Sequence, residues 1–380
     1  MVNRPLSWLA LLLVTGAALQ AAPAQKAPGA APKKNPLLKL VEPWPEPAEL
    51  QARQKAAQDR PLFQQVEPLS FTLSANFNLI NKERTPNNNK RFPGVLTVVG
   101  ADGSPHELAV KVSTRGHFRL MPRNCDFAPL RLDLTKDGVA GTPFEGQTSL
   151  KLGTHCRSGK EYEQFTLKEY LSYRMHNLVT PLSFRARLAR ATYVDSVTNK
   201  PIATKYAFWL EHDNDVARRA GGRIVELPRA EFKGLDPESL SRTMLWEYLI
   251  GNTDFSIWAL HNVRLIQDPS KVLFPVPYDF DMTGLVQPPY ANADPKLHLT
   301  SVAQRLYRGP CLTTDAMEPV AAGFRAARAE MVALIDGQQD LTATSRSEMK
   351  DYLASFFKTI DTPASIKKQF VDGCKATPTM

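Results

Sequence analysis

The spacing of hydrophobic residues changes along the chain, and this change limits the folds that the sequence can adopt. From 68 to 134, apolar and polar residues alternate, with turn signals at Asp102-Gly103 and Asp137-Gly138, which is typical of β-strands. Residues 165–178 instead place their apolar side chains on one helical stripe. The sequence therefore predicts an α+β protein with a β-rich first part and a mainly helical remainder.

The same criteria place the other elements. Strands are predicted at 147–152, 188–195, 205–211, 262–266 and 272–277. Helices are predicted at 239–250, 316–336, 347–359 and 364–371. The last two strands are expected to pair as a short hairpin within the helical part.

The first residues have the features of an export signal. Arg4 precedes a 13-residue apolar run, Leu6 to Ala18, and the small residues Ala22-Pro23-Ala24 follow. The apolar run is shorter than the roughly 20 residues that span a bilayer. We therefore expect residues 1–24 to be a signal peptide, and a mature protein that is periplasmic or secreted, without a transmembrane segment.

The composition after this signal suggests how the rest of the chain is divided. Residues 25–62 are rich in alanine and proline and are expected to form an extended tether, with a short polar helix at 49–59. The globular part is then expected to consist of a β-rich N-lobe, residues 63–215. A mainly helical C-lobe, residues 216–380, would carry the hairpin.

The four cysteines indicate disulfide bonds. None of them forms a C-x-x-C pair or lies at zinc-binding spacing from a histidine. In an oxidising compartment, two disulfides are expected. Of the three possible pairings we favour the one that is local in sequence, Cys125–Cys156 and Cys311–Cys374.

The polar residues best suited to chemistry lie between 251 and 284. Asp254 and Asn262 follow an apolar helix, and Asp279 and Asp281 follow the second strand of the predicted hairpin. Pairing of the hairpin would bring these side chains into one neighbourhood. Carboxylate and amide oxygens suit Mg²⁺ or Mn²⁺, which is usually shared with the phosphates of a substrate. Asp254 also has a simpler interpretation, because aspartates often cap turns.

Phosphoryl transfer needs such residues together with a cation that contacts the phosphates. Lys151, in a predicted strand, is the candidate cation, and Glu169 on the following helix is expected to pair with it. Arginines 115, 119, 123 and 131 are further phosphate-binding candidates, although charges of both signs on a β surface more often form a solvated face.

Three segments resemble those of an atypical kinase family. The block from Asn252 through Asp279-Phe280-Asp281 resembles the catalytic segment of the spore-coat-protein-H kinase family and, more distantly, of the HipA kinases. Val112 to Arg119 (VSTRGHFR) is similar to the Arg-Gly strand motif of that family. Tyr206 to Asp215 is similar to its strand followed by an acidic residue, where the two lobes connect.

The resemblance implies a two-lobed, protein-kinase-like fold that uses ATP with Mg²⁺ or Mn²⁺ to phosphorylate Ser or Thr on a protein. Asp254 would be the catalytic aspartate, and Asn262 with Asp279 or Asp281 would bind metal. The segment from Leu210 to His212 would lie by the nucleotide base. Together with the residues assigned from their spacing, the expected nucleotide-binding set is Arg115, Lys151, Glu169, Leu210 and Glu211.

The expected function is therefore that of an exported kinase-like phosphotransferase acting on an envelope or secreted protein. There are two alternatives: a catalytically inactive kinase-like envelope protein that acts as a binding or structural module, and a metal-dependent phosphoester hydrolase. The net charge of +9 does not indicate nucleic-acid binding, because the cations are dispersed and no basic helix is present. Serine-hydrolase chemistry is not expected without a G-x-S-x-G motif. We expect a monomer.

Overall fold

The computed structural model describes residues 36–86 and 88–374. The predicted signal peptide, residues 1–24, and the first part of the predicted tether, residues 25–35, lie outside the described residues. The described chain is an α+β protein, with a seven-stranded mixed sheet in the N-terminal half and most helices toward the C-terminus. Within these described residues, no helix combines the length and apolar character required to cross a bilayer.

The elements follow the predicted order closely. The N-terminal half contains α1 (Pro47–Gln58), β1 (Leu69–Ala75), α2 (Phe77–Lys82), β2 (Phe92–Val99), β3 (Pro105–Thr114), β4 (Leu130–Leu134), β5 (Ser149–Gly153), α3 (Glu161–Val179), β6 (Ala186–Asp195) and β7 (Lys200–Leu210). The rest contains α4 (Asp213–Arg219), β8 (Arg223–Val225), α5 (Pro237–Ile250), β9 (Val263–Gln267), β10 (Leu273–Pro277), α6 (Thr314–Gly337), α7 (Ala343–Ile360) and α8 (Pro363–Ile366). A π-helical turn, Lys367–Asp372, follows α8. The pattern predicted neither α4 nor β8, and it treated the residues of α2 as part of the strand region.

The seven-stranded sheet closes on itself in the order β1-β2-β3-β4-β5-β7-β6. All neighbours are antiparallel except β1 and β6, which run parallel with Leu69 opposite Ala189. The side chains that point inward alternate with outward ones and form one hydrophobic core. Its fully buried members include Leu73, Leu96, Val112, Leu132, Leu152 and Trp209.

A second core joins the outer face of this sheet to the helical part. Helix α3 packs on β6 and β7 on one side and on α6 on the other. The small sheet β10-β9-β8 and helices α5, α6 and α7 contribute Trp246, Phe280, Phe324 and Phe356, all of them buried. Helix α3 is therefore shared by both halves of the protein.

The short helix predicted at 49–59 is present as α1, but the described part of residues 25–62 is not an extended tether. It also contains a 3-10 helix (Pro36–Leu40), and α1 packs against α4. Arg185 donates hydrogen bonds to the carbonyls of Ala57 (2.7 Å) and Gln58 (2.9 Å) at the end of α1. Helix α1 has almost no apolar stripe, so its attachment depends on such polar contacts, which hydrophobic spacing does not reveal.

Both predicted disulfides are present, Cys125–Cys156 and Cys311–Cys374. The first joins the segment after β3 to the end of β5, and the second joins the segment before α6 to the last described residue. Two disulfides are typical of proteins that fold in an oxidising compartment.

Candidate functional site

A closed loop follows α5 and carries Asp254 and Asn262. Helix α5 ends at Gly251, whose φ of 65° is readily adopted by glycine. The Asp254 N–H donates to Asn252 Oδ1 (2.9 Å), and Asn262 Nδ2 donates to the Asp254 carbonyl (2.7 Å). Ser256 and His261 exchange two main-chain hydrogen bonds of 3.0 Å each. Asp254 and Asn262 therefore lie together although they are eight positions apart.

The carboxylate of Asp254 faces solvent. Its side chain is 44% exposed, and its Oδ1 lies 3.1 Å from His261 Nε2. This hydrogen bond raises the pKa of His261 above its ordinary value. An accessible carboxylate with one histidine partner is able to accept a proton from a substrate hydroxyl.

The hairpin places Asp279 beside Asn262. Val263 pairs with Pro277 at the end of the hairpin, and the Tyr278 N–H donates to the Asn262 carbonyl at 3.0 Å. The next N–H, that of Asp279, donates to the Tyr173 hydroxyl of α3 at 2.8 Å. Asn262 (φ 54°) and Asp279 (φ 67°) both have left-handed backbone conformations. Residues held in this region often cluster at functional sites.

Asp279 belongs to a group of three carboxyl residues together with Glu169 and Asp281, here called the acidic cluster. Burial and the charges of Asp281 and Asp279 raise the pKa of Glu169 well above its usual range. Burial and the charge of Asp279 raise the pKa of Asp281 to about 6. These carboxyl groups therefore repel one another across a small buried space.

Two residues contact Asp281 from the other side. The Tyr290 hydroxyl donates to Asp281 Oδ2 at 3.2 Å, and Arg119 Nη1 lies 3.8 Å from the same oxygen. Arg119 itself is held by a hydrogen bond of 2.6 Å to the Thr154 carbonyl. Asp281 is thus already engaged, whereas no hydrogen bond or ion pair involves the side chain of Asp279 among the described residues.

The acidic cluster is not a complete metal cage. In the described ranges, no three His, Cys, Asp or Glu side chains are close enough together to hold a metal ion. The oxygen donors of Asn262 and Asp279 are of the type that Mg²⁺ and Mn²⁺ prefer. A cation at this position would require further ligands from phosphate or water, as is usual for Mg²⁺.

The predicted ion pair between Lys151 and Glu169 is wrong. Lys151 Nζ lies 2.7 Å from Asp213 Oδ1, and Arg264 Nε lies 2.7 Å from Asp213 Oδ2. The reason is topological: β5 pairs with β7, so Lys151 stands opposite Leu210, close to the start of α4. Burial lowers the pKa of Lys151; although burial alone would raise that of Asp213, the charges of Lys151 and Arg264 lower it.

Tyr278 contacts the cations Lys151 and Arg264 and directly precedes Asp279 of the acidic cluster. Lys151 Nζ lies 4.7 Å from the centre of its ring, and the Arg264 guanidinium lies 4.8 Å from it. Its main chain contacts Asn262 and leads directly into Asp279. The cations and the acidic cluster are therefore on either side of one aromatic residue.

A cavity of about 480 Å³ opens beside Lys151. Four cationic and two anionic side chains line it: Lys39, Arg131, Lys151, Arg264, Asp213 and Glu226. Leu260, from the loop that carries Asp254, also lines this cavity. The excess of positive charge favours an anionic ligand. A larger cavity, of about 770 Å³ between α3 and α7, is lined by none of these residues.

The remaining predicted nucleotide-binding residues have different surroundings. Arg115 is near enough to Lys151 and Glu169 for its charge to act on both, as a small contribution beside the effect of burial on their pKa values. Glu211 is fully buried and is bound by Arg185 and Arg219, so its predicted contact with a nucleotide is replaced by a structural role. Leu210 is buried within β7.

Arg264 and Tyr278 also belong to the site, although the sequence alone indicated no role for either. One signal was present in the sequence, since Arg264 is the charged residue of a strand whose other residues carry no charge. No known protein-family model matches the chain, and no curated protein sequence is significantly similar to it.

Proposed function

We propose that this protein is an exported, kinase-like phosphotransferase that binds ATP with Mg²⁺ or Mn²⁺ and phosphorylates a hydroxyl of an envelope or secreted protein. The β-rich N-lobe, 63–215, and the helical C-lobe, 216–380, would enclose the nucleotide between them. The two disulfides fit a periplasmic or extracellular location.

One observation carries the proposal: the arrangement of charged groups around Tyr278. Lys151 lies over its ring, Asn262 contacts its main chain, and Asp279 follows it. Phosphoryl transfer needs a cation for the phosphates, an amide and a carboxylate for the metal, and an aspartate near the acceptor hydroxyl. Those groups are present within one small region of the described chain.

In this proposal Lys151 and Arg264 bind phosphate oxygens, in exchange for part of their contact with Asp213. Asn262 and Asp279 hold the metal, because Asp281 is occupied by Tyr290 and lies near Arg119. When bound, the divalent cation would neutralise negative charge on the phosphates. Asp254 orients the acceptor hydroxyl and accepts its proton.

The alternative is a catalytically inactive kinase-like envelope protein that acts as a binding or structural module. The specific observation in its favour is that Lys151 and Arg264, the cations proposed to bind phosphate, are already paired with Asp213. A binding experiment and a transfer experiment together separate the two functions.

The binding experiment compares thermal unfolding of the oxidised protein with and without ATP and Mn²⁺. Ligand at a hundredfold excess over its Kd stabilises a binder by roughly 2.7 kcal/mol. We expect this stabilisation in the wild-type protein and a clear reduction in Lys151→Met and in Asp279→Asn. Absence of any stabilisation of the wild-type protein by ATP with either metal would overturn the proposal.

The transfer experiment uses ATP labelled in the γ-phosphate, with envelope or secreted proteins as acceptors. Asp254→Asn should lower the rate of labelling by about 100-fold or more while ATP still stabilises the protein. Asp59→Asn, which removes an exposed carboxylate at the end of α1, is the matched control and should leave the rate unchanged. Binding without labelling would favour the inactive alternative, and release of free phosphate without labelling would indicate hydrolysis.

A further inference from the structure

The loop that carries Asp254 is held from outside by a segment that precedes α6. Arg308 Nη1 donates to two main-chain carbonyls of this loop, that of Thr253 at 3.1 Å and that of Phe255 at 2.8 Å. These carbonyls belong to the residues on either side of Asp254. The Arg308 guanidinium also lies 5.0 Å from the centre of the Phe255 ring. One cation therefore fixes the main chain on both sides of the proposed catalytic aspartate.

The segment from 303 to 311, here called the clamp segment, has no helix or strand of its own. Arg305 ties it to the end of α5 through the Leu249 carbonyl (3.0 Å) and to α7 through the Tyr352 carbonyl (2.6 Å). The Tyr352 hydroxyl donates to the Ala303 carbonyl at 3.1 Å. Side chains rather than main-chain ladders thus determine where the clamp segment lies.

A disulfide closes the clamp segment at its far end. Cys311, three positions after Arg308, is bonded to Cys374, the last described residue. Tyr307 of the clamp segment also packs against Phe370 of the π-helical turn, with ring centres 5.1 Å apart. Cys311 is exposed, so a dissolved reductant has access to this bond.

We propose that Arg308 is a positioning residue for Asp254, and that the Cys311–Cys374 disulfide makes this positioning depend on oxidation. The effect on activity rests on the proposed function, because Asp254 is the catalytic aspartate of that function. Reduction by a dithiol breaks the S–S bond, forms two thiols at Cys311 and Cys374, and converts the dithiol to a disulfide. The clamp segment then loses its covalent anchor, and the contacts of Arg308 weaken.

The first test measures hydrogen–deuterium exchange in the loop and needs no enzymatic activity. In Arg308→Lys, the amides of Asp254, Ser256 and His261 should exchange about tenfold faster or more, because hydrogen bonds from a charged donor are lost. Arg346→Lys is the matched control, since Arg346 likewise binds main-chain carbonyls, at the end of α6, away from the site. Equal exchange of the loop in Arg308→Lys and in wild type would overturn the inference.

The second test addresses the disulfide. Cys311→Ser/Cys374→Ser should show the same faster exchange of the Asp254 loop, and so should the wild-type protein treated with a dithiol. Cys125→Ser/Cys156→Ser is the control, because it removes a crosslink that does not touch the clamp segment. Unchanged exchange in the first double variant would exclude any dependence on oxidation.

Activity gives a third readout that a general loss of stability would not mimic. If the protein transfers phosphate, Arg308→Lys should lower kcat while the KM for ATP stays the same, because Arg308 bonds to the main chain beside Asp254 and to neither Lys151 nor Arg264. If the protein transfers no phosphate, the exchange experiments still decide whether Arg308 and the disulfide hold the loop. Failure of this inference and failure of the proposed function are therefore distinguishable.

Discussion

At the scale of single residues, the most unusual group near the site is the buried carboxyl of Glu247. It lies on α5, is only 2% exposed, and neither of its Oε atoms has a hydrogen-bond partner in the described structure. Burial raises its pKa from 4.5 to about 8, which the neighbouring Asn252 amide and Arg308 offset only in part. Glu247 therefore remains protonated in the folded protein at neutral pH, directly behind the Asp254 loop.

This pKa predicts a pH dependence of stability. Between about pH 4.5 and pH 8 the unfolded chain releases the proton of Glu247 and the folded chain keeps it, so the free energy of unfolding falls as pH rises. At 1.36 kcal/mol per pKa unit, the loss reaches about 5 kcal/mol. Glu247→Gln should lack this slope, as measured by urea unfolding at several pH values.

The matched control for that measurement is Glu238→Gln, an exposed glutamate on the same helix. It should keep the wild-type pH dependence. Identical slopes in Glu247→Gln and wild type would contradict the assignment of a raised pKa to Glu247.

At the scale of elements, the site depends on how closely α7 approaches two loops. The hydroxyl of Tyr352 on α7 fits against Gly251, at the end of α5, and against Gly284, shortly after Asp281. A Cβ at position 284 would lie 2.2 Å from this hydroxyl and 2.8 Å from the Val302 carbonyl. The φ of Gly284 is not in the left-handed region, so backbone conformation does not require glycine there. The close contact between elements does.

Gly284→Ala should therefore destabilise the protein by about 1–3 kcal/mol, because the added methyl group overpacks this contact. Tyr352→Phe in the same chain should recover part of the loss, since it removes the hydroxyl. Chemical denaturation of the single and double variants measures both effects. Gly323→Ala in α6 is the control, because nothing lies within 4 Å of its Cβ and alanine is the better helix former there.

At the scale of the whole molecule, two crosslinks join segments that are far apart in the chain. Cys125–Cys156 closes a loop of 31 residues in the sheet half, and Cys311–Cys374 closes one of 63 residues in the helical half. The two bonds restrict different parts of the unfolded chain. The oxidised protein is thus stabilised in both halves.

Removal of either bond by Cys→Ser pairs should lower the free energy of unfolding by about 4 kcal/mol, from the loop-closure entropy of loops this long. Urea unfolding of the oxidised variants gives the two values directly. Unfolding of the wild-type protein in a dithiol should then approach the combined loss. A loss below about 1 kcal/mol for both pairs would show that the crosslinks add little to stability.

Much of the fold follows from local patterns. The long helix α3, helix α5 and the hairpin of β9 and β10 were predicted within a few residues, because each has a clear hydrophobic period and distinct end signals. Helix α1 was predicted within two residues at each end, but its packing on the folded chain was not, and β8, with three residues, was missed. Elements that are stabilised by their neighbours leave no period in the sequence.

For the site, the sequence alone determined the chemical types that are available: an aspartate after an apolar helix, an asparagine before a hairpin, and carboxylates after it. It also favoured, among three possible cysteine pairings, the local one that the structure has. Only the tertiary structure decided which charges meet. Strand pairing sets Lys151 opposite Leu210 and so beside Asp213, while α3 turns Glu169 toward Asp279 and Asp281. The direction of a side chain depends on strand register and helix rotation, which packing of the whole chain fixes.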